Sequence, residues 1–205
     1  MTIRLHRGDL PNLTAYKGAI AIDTETMGLD PQRDRLCVVQ FSTGDGSADV
    51  VQIAAGQTKA PNIEKLLADK SMLKIFHYAR FDLGMLAKAF GVMTAPVYCT
   101  KIASRLARTY TDKHGLKDLA RELLGVDLSK QQQSSDWGAD ELTDAQVSYA
   151  ATDVLHLHAL KEKLDAMLAR EGHAELAAAC FRFLPDRVRL DLGGWAAEDI
   201  FSHSA

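Results

Sequence analysis

The chain has 205 residues, of which 47% are hydrophobic and 25% are charged, and its formal net charge is −3 at neutral pH. This composition is that of an ordinary globular protein whose length suits one domain with a sizeable core. A protein that binds long nucleic acid usually presents a basic surface. The slightly acidic net charge of this chain argues against such binding. Any nucleic-acid substrate is therefore expected to be short or held locally.

The sequence predicts neither a membrane span nor a signal peptide. No window holds eighteen consecutive apolar residues, so no membrane span is expected, and residues 1–7 lack the apolar core of a signal peptide. The three cysteines, Cys37, Cys99 and Cys180, are far apart and have no metal-ligand spacing. Such usage is typical of reduced thiols and predicts a cytoplasmic protein.

The first quarter of the chain reads as a series of strands. Alternating apolar residues predict a short edge strand over 2–7. After a turn, residues 19–23, 36–42 and 48–53 carry β-branched runs, and a glycine-rich hairpin signal separates the last two. We therefore predict three antiparallel strands joined as a meander.

Beyond residue 60 the pattern alternates between helices and strands. The predicted strands cover 73–77 and 97–99, and the predicted helices cover Pro61 to about Asp69, 79–90, 100–108, 116–124, 143 to about 170, and 174–183 before Pro185. A meander followed by such alternation predicts an α/β protein with a mixed sheet of five to six strands flanked by helices.

Asp23 and Glu25 stand where a buried strand gives way to a turn. They are two residues apart, so in a strand their side chains leave the same face. Two carboxylates about 4 Å apart repel by about 4 kcal/mol at an effective dielectric constant of about 20. A divalent cation with a preference for hard oxygen ligands, Mg²⁺ or Mn²⁺, would offset that repulsion. The alternative is a strand end with two solvated acids.

Two further acidic positions have the same ambiguity. Asp82 falls in the first turn of a predicted helix, where the helix dipole alone favours a carboxylate. Tyr149 and Asp153 are four apart on a predicted helix and therefore share a face. For this pair the alternative is a half-buried tyrosine whose hydroxyl is hydrogen-bonded near an aspartate.

The order of these motifs resembles the DEDD superfamily of 3′→5′ exonucleases, in its tyrosine-containing subgroup. The stretches 114–119, 130–133 and 135–137, followed by Leu142-Thr143, extend the resemblance to ribonuclease D over about residues 15–170. Ribonuclease D has additional helical C-terminal domains, for which this length leaves no room. A compact chain is most similar to the nano-ribonuclease C group, bacterial enzymes that clear very short RNA. Cys99 departs from the aspartate common at that position in ribonuclease D-like sequences, at a site that is not a metal ligand.

The resemblance implies a ribonuclease H-like fold and assigns roles to the five motif residues. Asp23, Glu25, Asp82 and Asp153 would hold two divalent ions, Mg²⁺ or Mn²⁺, about 4 Å apart. Asp23 would bridge both ions, and Tyr149 would orient the attacking water. A nucleoside 5′-monophosphate would then be released from the 3′ end.

Six substrate contacts are also implied, and most have a structural alternative: Thr24, Thr26, Leu29, His77, Lys130 and Gln133. The backbone near the two threonines would meet the terminal 3′-hydroxyl. Leu29 would wedge between the last two bases, or else it is a turn residue tucked onto the core. His77 could serve the strand end alone, and Lys130 could simply be solvated in its loop.

The domain prediction is a single exonuclease domain over 1–205, with the C-terminal helix and tail over about 171–205. The tail is rich in large apolar residues, which would either complete the domain's own core or bury against another subunit. The resemblance to the nano-ribonuclease C group favours a homo-oligomer, specifically a ring-like octamer that restricts substrate length.

Three functions remain open at this level. The first is a metal-dependent 3′→5′ exoribonuclease acting on the 3′ ends of short single-stranded RNA, including dinucleotides. The second is a related exonuclease that trims longer RNA or DNA ends. The third is a non-catalytic nucleic-acid-binding module on the same fold, although the presence of all four acids and the tyrosine argues against it.

Overall fold

The computed structural model describes residues 2–129 and 131–203 and places them around one six-stranded mixed sheet. All predicted strands are present, with these bounds: β1 Thr2–Arg7, β2 Ala19–Thr26, β3 Leu36–Ser42, β4 Ser47–Gln52, β5 Leu73–Phe76 and β6 Val97–Cys99. β2 extends three residues beyond its predicted end at residue 23. Glu25, like Asp23, therefore lies within the strand rather than after its end.

The sheet combines the predicted meander with parallel additions on both sides. Its strand order is β1-β4-β3-β2-β5-β6. β2 pairs antiparallel with β3, and β3 pairs antiparallel with β4, whereas β5 and β6 continue the sheet in parallel with β2. β1 lies at one edge, parallel to β4, and the three-residue β6 lies at the other edge. β2 is thus central, with neighbours on both sides.

Helices cover both faces of the sheet. Their bounds are α1 Pro61–Ala68, α2 Ala79–Phe90, α3 Thr100–Ala107, α4 Leu116–Leu119, α5 Asp144–Leu155, α6 Leu157–Arg170 and α7 Ala174–Leu190. Wider π-helical turns extend α4 over Ala120–Leu124 and α7 over Asp191–Trp195. Within the described residues, no helix has the length and apolar character needed to cross a bilayer.

The core is divided by the sheet into two layers. Ile20 and Ile22 of β2 face the layer that contains α1, α2 and part of α7. Ala21, between them, faces the layer that contains α3, α5 and α6. This alternation follows from the two-residue side-chain period of a strand. It also determines which layer receives the acidic residues further along β2.

The prediction of one long helix over 143–170 is wrong, because the helix breaks at His156. That residue has φ −104° and ψ −5°, and it separates α5 from α6. α5 packs across β2, β3 and β4, whereas α6 packs beside α3 and β5. The break allows each helix to bury its own apolar face in a different direction.

The prediction that the last helix ends before Pro185 is also wrong, because α7 continues through this proline to Leu190. A proline inside a helix costs about 3 kcal/mol through a lost hydrogen bond and a steric clash. Leu184 and Val188 are both buried in the layer with α2. Full burial of such side chains contributes about 1.5–3 kcal/mol each, which offsets the proline.

The packing of α7 predicts a difference between two leucines of the same helix. Leu184 is 4% exposed, whereas Leu176 is 52% exposed. Leu184→Ala is therefore expected to lower the free energy of unfolding by about 2–4 kcal/mol through lost burial and a cavity. Leu176→Ala, the control, should change it by less than about 0.5 kcal/mol. Urea denaturation at one protein concentration measures both, and equal effects would show that α7 is not part of the core.

Candidate active site

β2 brings two carboxylates to the same face of the sheet centre. Asp23 and Glu25 follow Ala21 at two-residue steps, so they face the layer that contains α5. Asp23 lies opposite Gln40 of β3, and the pairing register shifts between Glu25 and Thr26. Such an irregularity ends regular pairing and redirects the chain where the strand leaves the sheet.

α5 supplies the third carboxylate, Asp153, together with Tyr149 one turn earlier. Thr143 begins this helix with a capping box, in which its hydroxyl accepts from the Gln146 backbone N–H while the Gln146 side chain accepts from the Thr143 N–H. This cap fixes where α5 starts. Carboxylate oxygens of Asp23, Glu25 and Asp153 all lie within 4.8 Å of one another.

Asp82 approaches the same cluster from the first turn of α2. Its carboxyl is 3% exposed, and its Oδ1 accepts a hydrogen bond of 2.7 Å from the Thr24 hydroxyl. Thr24 therefore uses its side chain to hold Asp82. The hydroxyl of Thr26 is also engaged, because it donates to the Gly28 carbonyl at 2.5 Å. Both threonine hydroxyls in this stretch are therefore hydrogen-bonded within the protein.

Burial and mutual repulsion disfavour ionisation of the four acids. Burial, and then the charges of Asp82, Asp153 and Glu25, raise the pKa of Asp23 well above its usual range. Burial and the neighbouring aspartates raise the pKa of Glu25 to about 9. Burial also raises the pKa of Asp82 and of Asp153 to about 7 each. A positive charge placed among these four acids would therefore favour their ionised forms.

The donor set fits a divalent cation with a preference for oxygen. Asp23, Glu25 and Asp153 offer hard carboxylate oxygens close enough to share an ion, and neither sulfur nor imidazole belongs to the group. The repulsion between these half-buried like charges is the second indication, because a cation between them would remove the repulsion that raises the pKa values of Asp23 and Glu25. Both observations agree with Mg²⁺ or Mn²⁺.

Tyr149 presents a neutral hydroxyl beside the acids. Its ring lies 6.0 Å from the ring of Trp137, centroid to centroid. Burial, and then the charges of Asp153, Glu25 and Asp23, raise the pKa of the hydroxyl above its ordinary value near 10. At neutral pH this group is therefore protonated and acts as a hydrogen-bond donor or acceptor rather than as a base.

The acids open into a cleft of about 320 Å³. Its lining combines the acidic cluster with residues from four other segments of the described chain: Asp23, Glu25, His77, Tyr78, Lys101, Gly115, Leu116, Lys117, Asp118, Leu128, Ser129, Gln133, Tyr149 and Asp153. His77 Nδ1 lies 2.9 Å from the Thr100 hydroxyl. Burial, and then the charge of Lys101, lower the pKa of His77 to about 3, so the ring is neutral.

The structure places the other predicted substrate-contact residues in different environments. Leu29 is 86% exposed, so the alternative that it is tucked onto the core is wrong. Gln133 is exposed and lines the cleft. Lys130 lies outside the described residues. Leu29 is not among the residues that line the cleft itself.

Sequence reasoning missed Tyr78 and Lys101, which line the cleft from the residue before α2 and from the first turn of α3. Tyr78 has φ +70°, a left-handed conformation that non-glycine residues adopt rarely. The Lys101 Nζ lies 4.3 Å from the centroid of the Tyr78 ring. No sequence rule predicts a tyrosine at positive φ, and only the pairing of β5 with β6 brings these two positions together.

The fold and the acidic cluster define a class of nucleases, and the chain belongs to the 3′-5′ exonuclease family, whose model matches residues 9–169. The structure of Escherichia coli RNase D superimposes with a TM-score of 0.74 at 27% identity, covering 83% of this chain and 45% of that one. The predicted ribonuclease H-like fold and the predicted membership of the 3′-5′ exonuclease family are thereby confirmed.

Two further proteins are more similar in sequence. Two structures of Brucella melitensis NrnC align with this chain over the full length of both proteins. The structure bound to pGG is 64% identical in sequence and has a TM-score of 0.97. The structure with bound Mg²⁺ is 63% identical and has a TM-score of 0.96. Ribonuclease D of Gluconacetobacter diazotrophicus is 35% identical over 167 residues, which are 82% of this chain and 42% of that protein. The chain thus spans about two fifths of the length of such curated relatives.

The raised pKa values predict an unusual pH dependence for the metal-free protein. Folded Glu25, with a pKa of about 9, binds a proton that the unfolded chain releases near pH 4. Its contribution to the free energy of unfolding is complete below that pH and is lost as pH rises toward 9. Added Mg²⁺ should oppose this loss, because it binds the ionised carboxylates.

Urea denaturation at about pH 5, 7 and 9, with and without Mg²⁺, measures the effect. Glu25→Gln is the matched variant because its side chain has the same shape but does not titrate. The difference between wild type and variant isolates this group from other ionisations. A wild-type protein that gains stability relative to Glu25→Gln as pH rises without metal would contradict the prediction.

Proposed function

We propose that the protein is a metal-dependent 3′→5′ exoribonuclease that hydrolyses short RNA, including dinucleotides, to nucleoside 5′-monophosphates. The observation that carries the proposal is the cluster of Asp23, Glu25 and Asp153 oxygens at the base of a small cleft. The similarity to Brucella NrnC bound to pGG supports a dinucleotide as substrate. The net charge of −3 agrees with a short substrate, since it provides little attraction for a long polyanion.

The acids are proposed to hold two divalent ions per site, Mg²⁺ or Mn²⁺. Asp23, Glu25, Asp82 and Asp153 would supply the oxygen ligands, with Asp82 kept in place by Thr24. When bound, such ions lower the pKa of a water and neutralise charge at the scissile phosphate. The Mg²⁺ bound to Brucella NrnC supports this assignment.

The remaining residues are proposed to bind the substrate and to orient the attacking water. The neutral Tyr149 hydroxyl would hold the attacking water by a hydrogen bond, because its raised pKa makes it a poor base. Backbone groups of Thr24 to Thr26 would meet the terminal 3′-hydroxyl, and the exposed Leu29 is free to insert between two bases. His77 and Gln133 line the cleft within reach of substrate, and Lys130 is proposed to contact phosphate or ribose.

A second candidate is trimming of longer RNA or DNA 3′ ends. The 35% identity over 167 residues to ribonuclease D of Gluconacetobacter diazotrophicus favours it. The two candidates share the same chemistry and differ in the length of substrate that the cleft admits. A comparison of substrate lengths therefore separates them.

The whole chain is proposed to form one domain that assembles into a homo-oligomer. Four large apolar side chains near the C-terminus are at least 39% exposed, namely Phe183, Trp195, Ile200 and Phe201. Exposed apolar surface of this kind marks interfaces. A closed ring, specifically an octamer, would restrict access to the clefts and so limit substrate length.

Light scattering at micromolar concentration tests the assembly. We expect a mass several times that of the 22.4 kDa chain. Phe201→Glu, which places a charge on the exposed C-terminal surface, should shift the equilibrium toward smaller species. Phe201→Leu is the control that keeps an apolar side chain. A monomeric wild-type protein would remove the proposed oligomer and its role in selecting length.

The activity is tested with 5′-labelled RNAs of two, five and twenty nucleotides and matched DNAs, in Mg²⁺ and in EDTA. We expect the RNA dinucleotide to be hydrolysed fastest and only with metal. Equal or faster trimming of the 20-mer would favour the second candidate. Absence of metal-dependent hydrolysis on every substrate would contradict both.

Two variants of α5 control the assay. Asp153→Asn removes one carboxylate charge from the cluster with little change of shape, and we expect kcat to fall by about 100-fold or more. Asp144→Asn changes an exposed aspartate at the start of the same helix and should leave kcat within about twofold. An active Asp153→Asn enzyme would contradict the assignment of the cluster as the catalytic centre.

A further inference from the structure

We propose that the ring of Tyr78 is a stacking platform for one nucleobase of the substrate, and that Lys101 beside it binds a phosphate of the same nucleotide. This inference rests on the proposed function and deepens it, because it assigns binding and specificity to residues outside the carboxylate cluster. The ring and the ammonium would together select for an unstacked, single-stranded nucleotide, which offers a free base face.

The backbone at Tyr78 is the first indication. Among the described residues, Tyr78 is the one non-glycine residue with positive φ, at φ 70° and ψ 43°. It precedes α2, but its side chain makes no capping hydrogen bond to that helix. Glycine or asparagine would adopt this conformation with less strain. Backbone strain of this type clusters at ligand-binding sites, where the side chain has a use that offsets it.

The position of the ring is the second indication. Tyr78 is 47% exposed, although tyrosines usually bury most of their ring, and it lines the same cleft as Asp23, Glu25 and Asp153. An exposed aromatic ring in the cleft that contains the acidic cluster offers a flat apolar face to a base of the substrate. Bases of any sequence stack on such faces, so the contact would bind without reading sequence.

Lys101 is the third indication. Its Nζ lies 4.3 Å from the ring centroid, within the range of a cation–π contact, and so covers only one face of the ring. The lysine comes from the start of α3, just after β6, whereas Tyr78 follows the parallel neighbour β5. It provides positive charge in a cleft dominated by carboxylates. A phosphate brought to that cleft therefore meets an attractive group beside the proposed base site.

Tyr78→Asn and Tyr78→Phe separate stacking from backbone strain. Asparagine tolerates positive φ but lacks the ring, whereas phenylalanine keeps the ring. With an RNA dinucleotide, we expect Tyr78→Asn to raise KM by about 10-fold and Tyr78→Phe to change it by less than about twofold. Lys101→Gln should also raise KM and should flatten its salt dependence, because one phosphate contact is lost.

Dinucleotides that lack the base at the 5′ or the 3′ position locate the stacked nucleotide. For one of the two abasic substrates, Tyr78→Asn and wild type should have the same KM, because the partner of the ring is already missing. For the other abasic substrate, the 10-fold difference should persist. The position at which the difference disappears identifies the nucleotide that stacks on Tyr78.

The outcomes distinguish this inference from the function on which it rests. If wild type hydrolyses no dinucleotide in Mg²⁺, the proposed function fails. If wild type is active and Tyr78→Asn has the wild-type KM on the complete dinucleotide, only the stacking proposal fails. An equal rise in KM on both abasic substrates also overturns it, because the ring would then act on the protein rather than on a base. Thermal unfolding of each variant confirms that it is folded.

Discussion

Repulsion between four closely spaced carboxylates is the constraint on which the rest of the structure depends. Asp23, Glu25, Asp82 and Asp153 come from β2, α2 and α5. Burial raises the pKa of each, and the charges of neighbouring acids raise the pKa of Asp23 and Glu25 further. Such a cluster would spread apart if its supports were loose. The central place of β2, with β3 on one side and β5 on the other, fixes two of the acids before any ligand arrives.

Asp82 and Asp153 are positioned by interactions of residues that do not line the cleft. The capping box at Thr143 sets the start of α5, and the Thr24 hydroxyl fixes the orientation of Asp82. α7 packs against α2 through buried side chains that include Leu184, so the C-terminal helix supports the helix that carries Asp82. Distant packing thereby controls the distances between ligands, which a metal site requires to within a few tenths of an ångström.

Much of the fold and of the acidic cluster was predictable from the sequence, because these features depend on local patterns. The β2 run, the Asp-x-Glu spacing and the four-residue step from Tyr149 to Asp153 each follow from the period of one element. The break at His156 and the continuation through Pro185 were not predictable, since tertiary burial in both cases outweighed the local signal. Tyr78 and Lys101 were not predicted as site residues for a different reason. Their contact exists only because β5 and β6 pair in parallel.

The two edges of the sheet have a consequence for how copies of the chain meet. β6 is only three residues long and is flanked by α7, and β1 carries Arg4, His6 and Arg7 along an exposed edge. Short or charged edges discourage the addition of a further strand from another molecule. Both edges of the sheet thus oppose self-association by strand addition, which is the route to aggregated β-structure. Contacts between copies of the chain would instead have to use its helical and C-terminal surfaces.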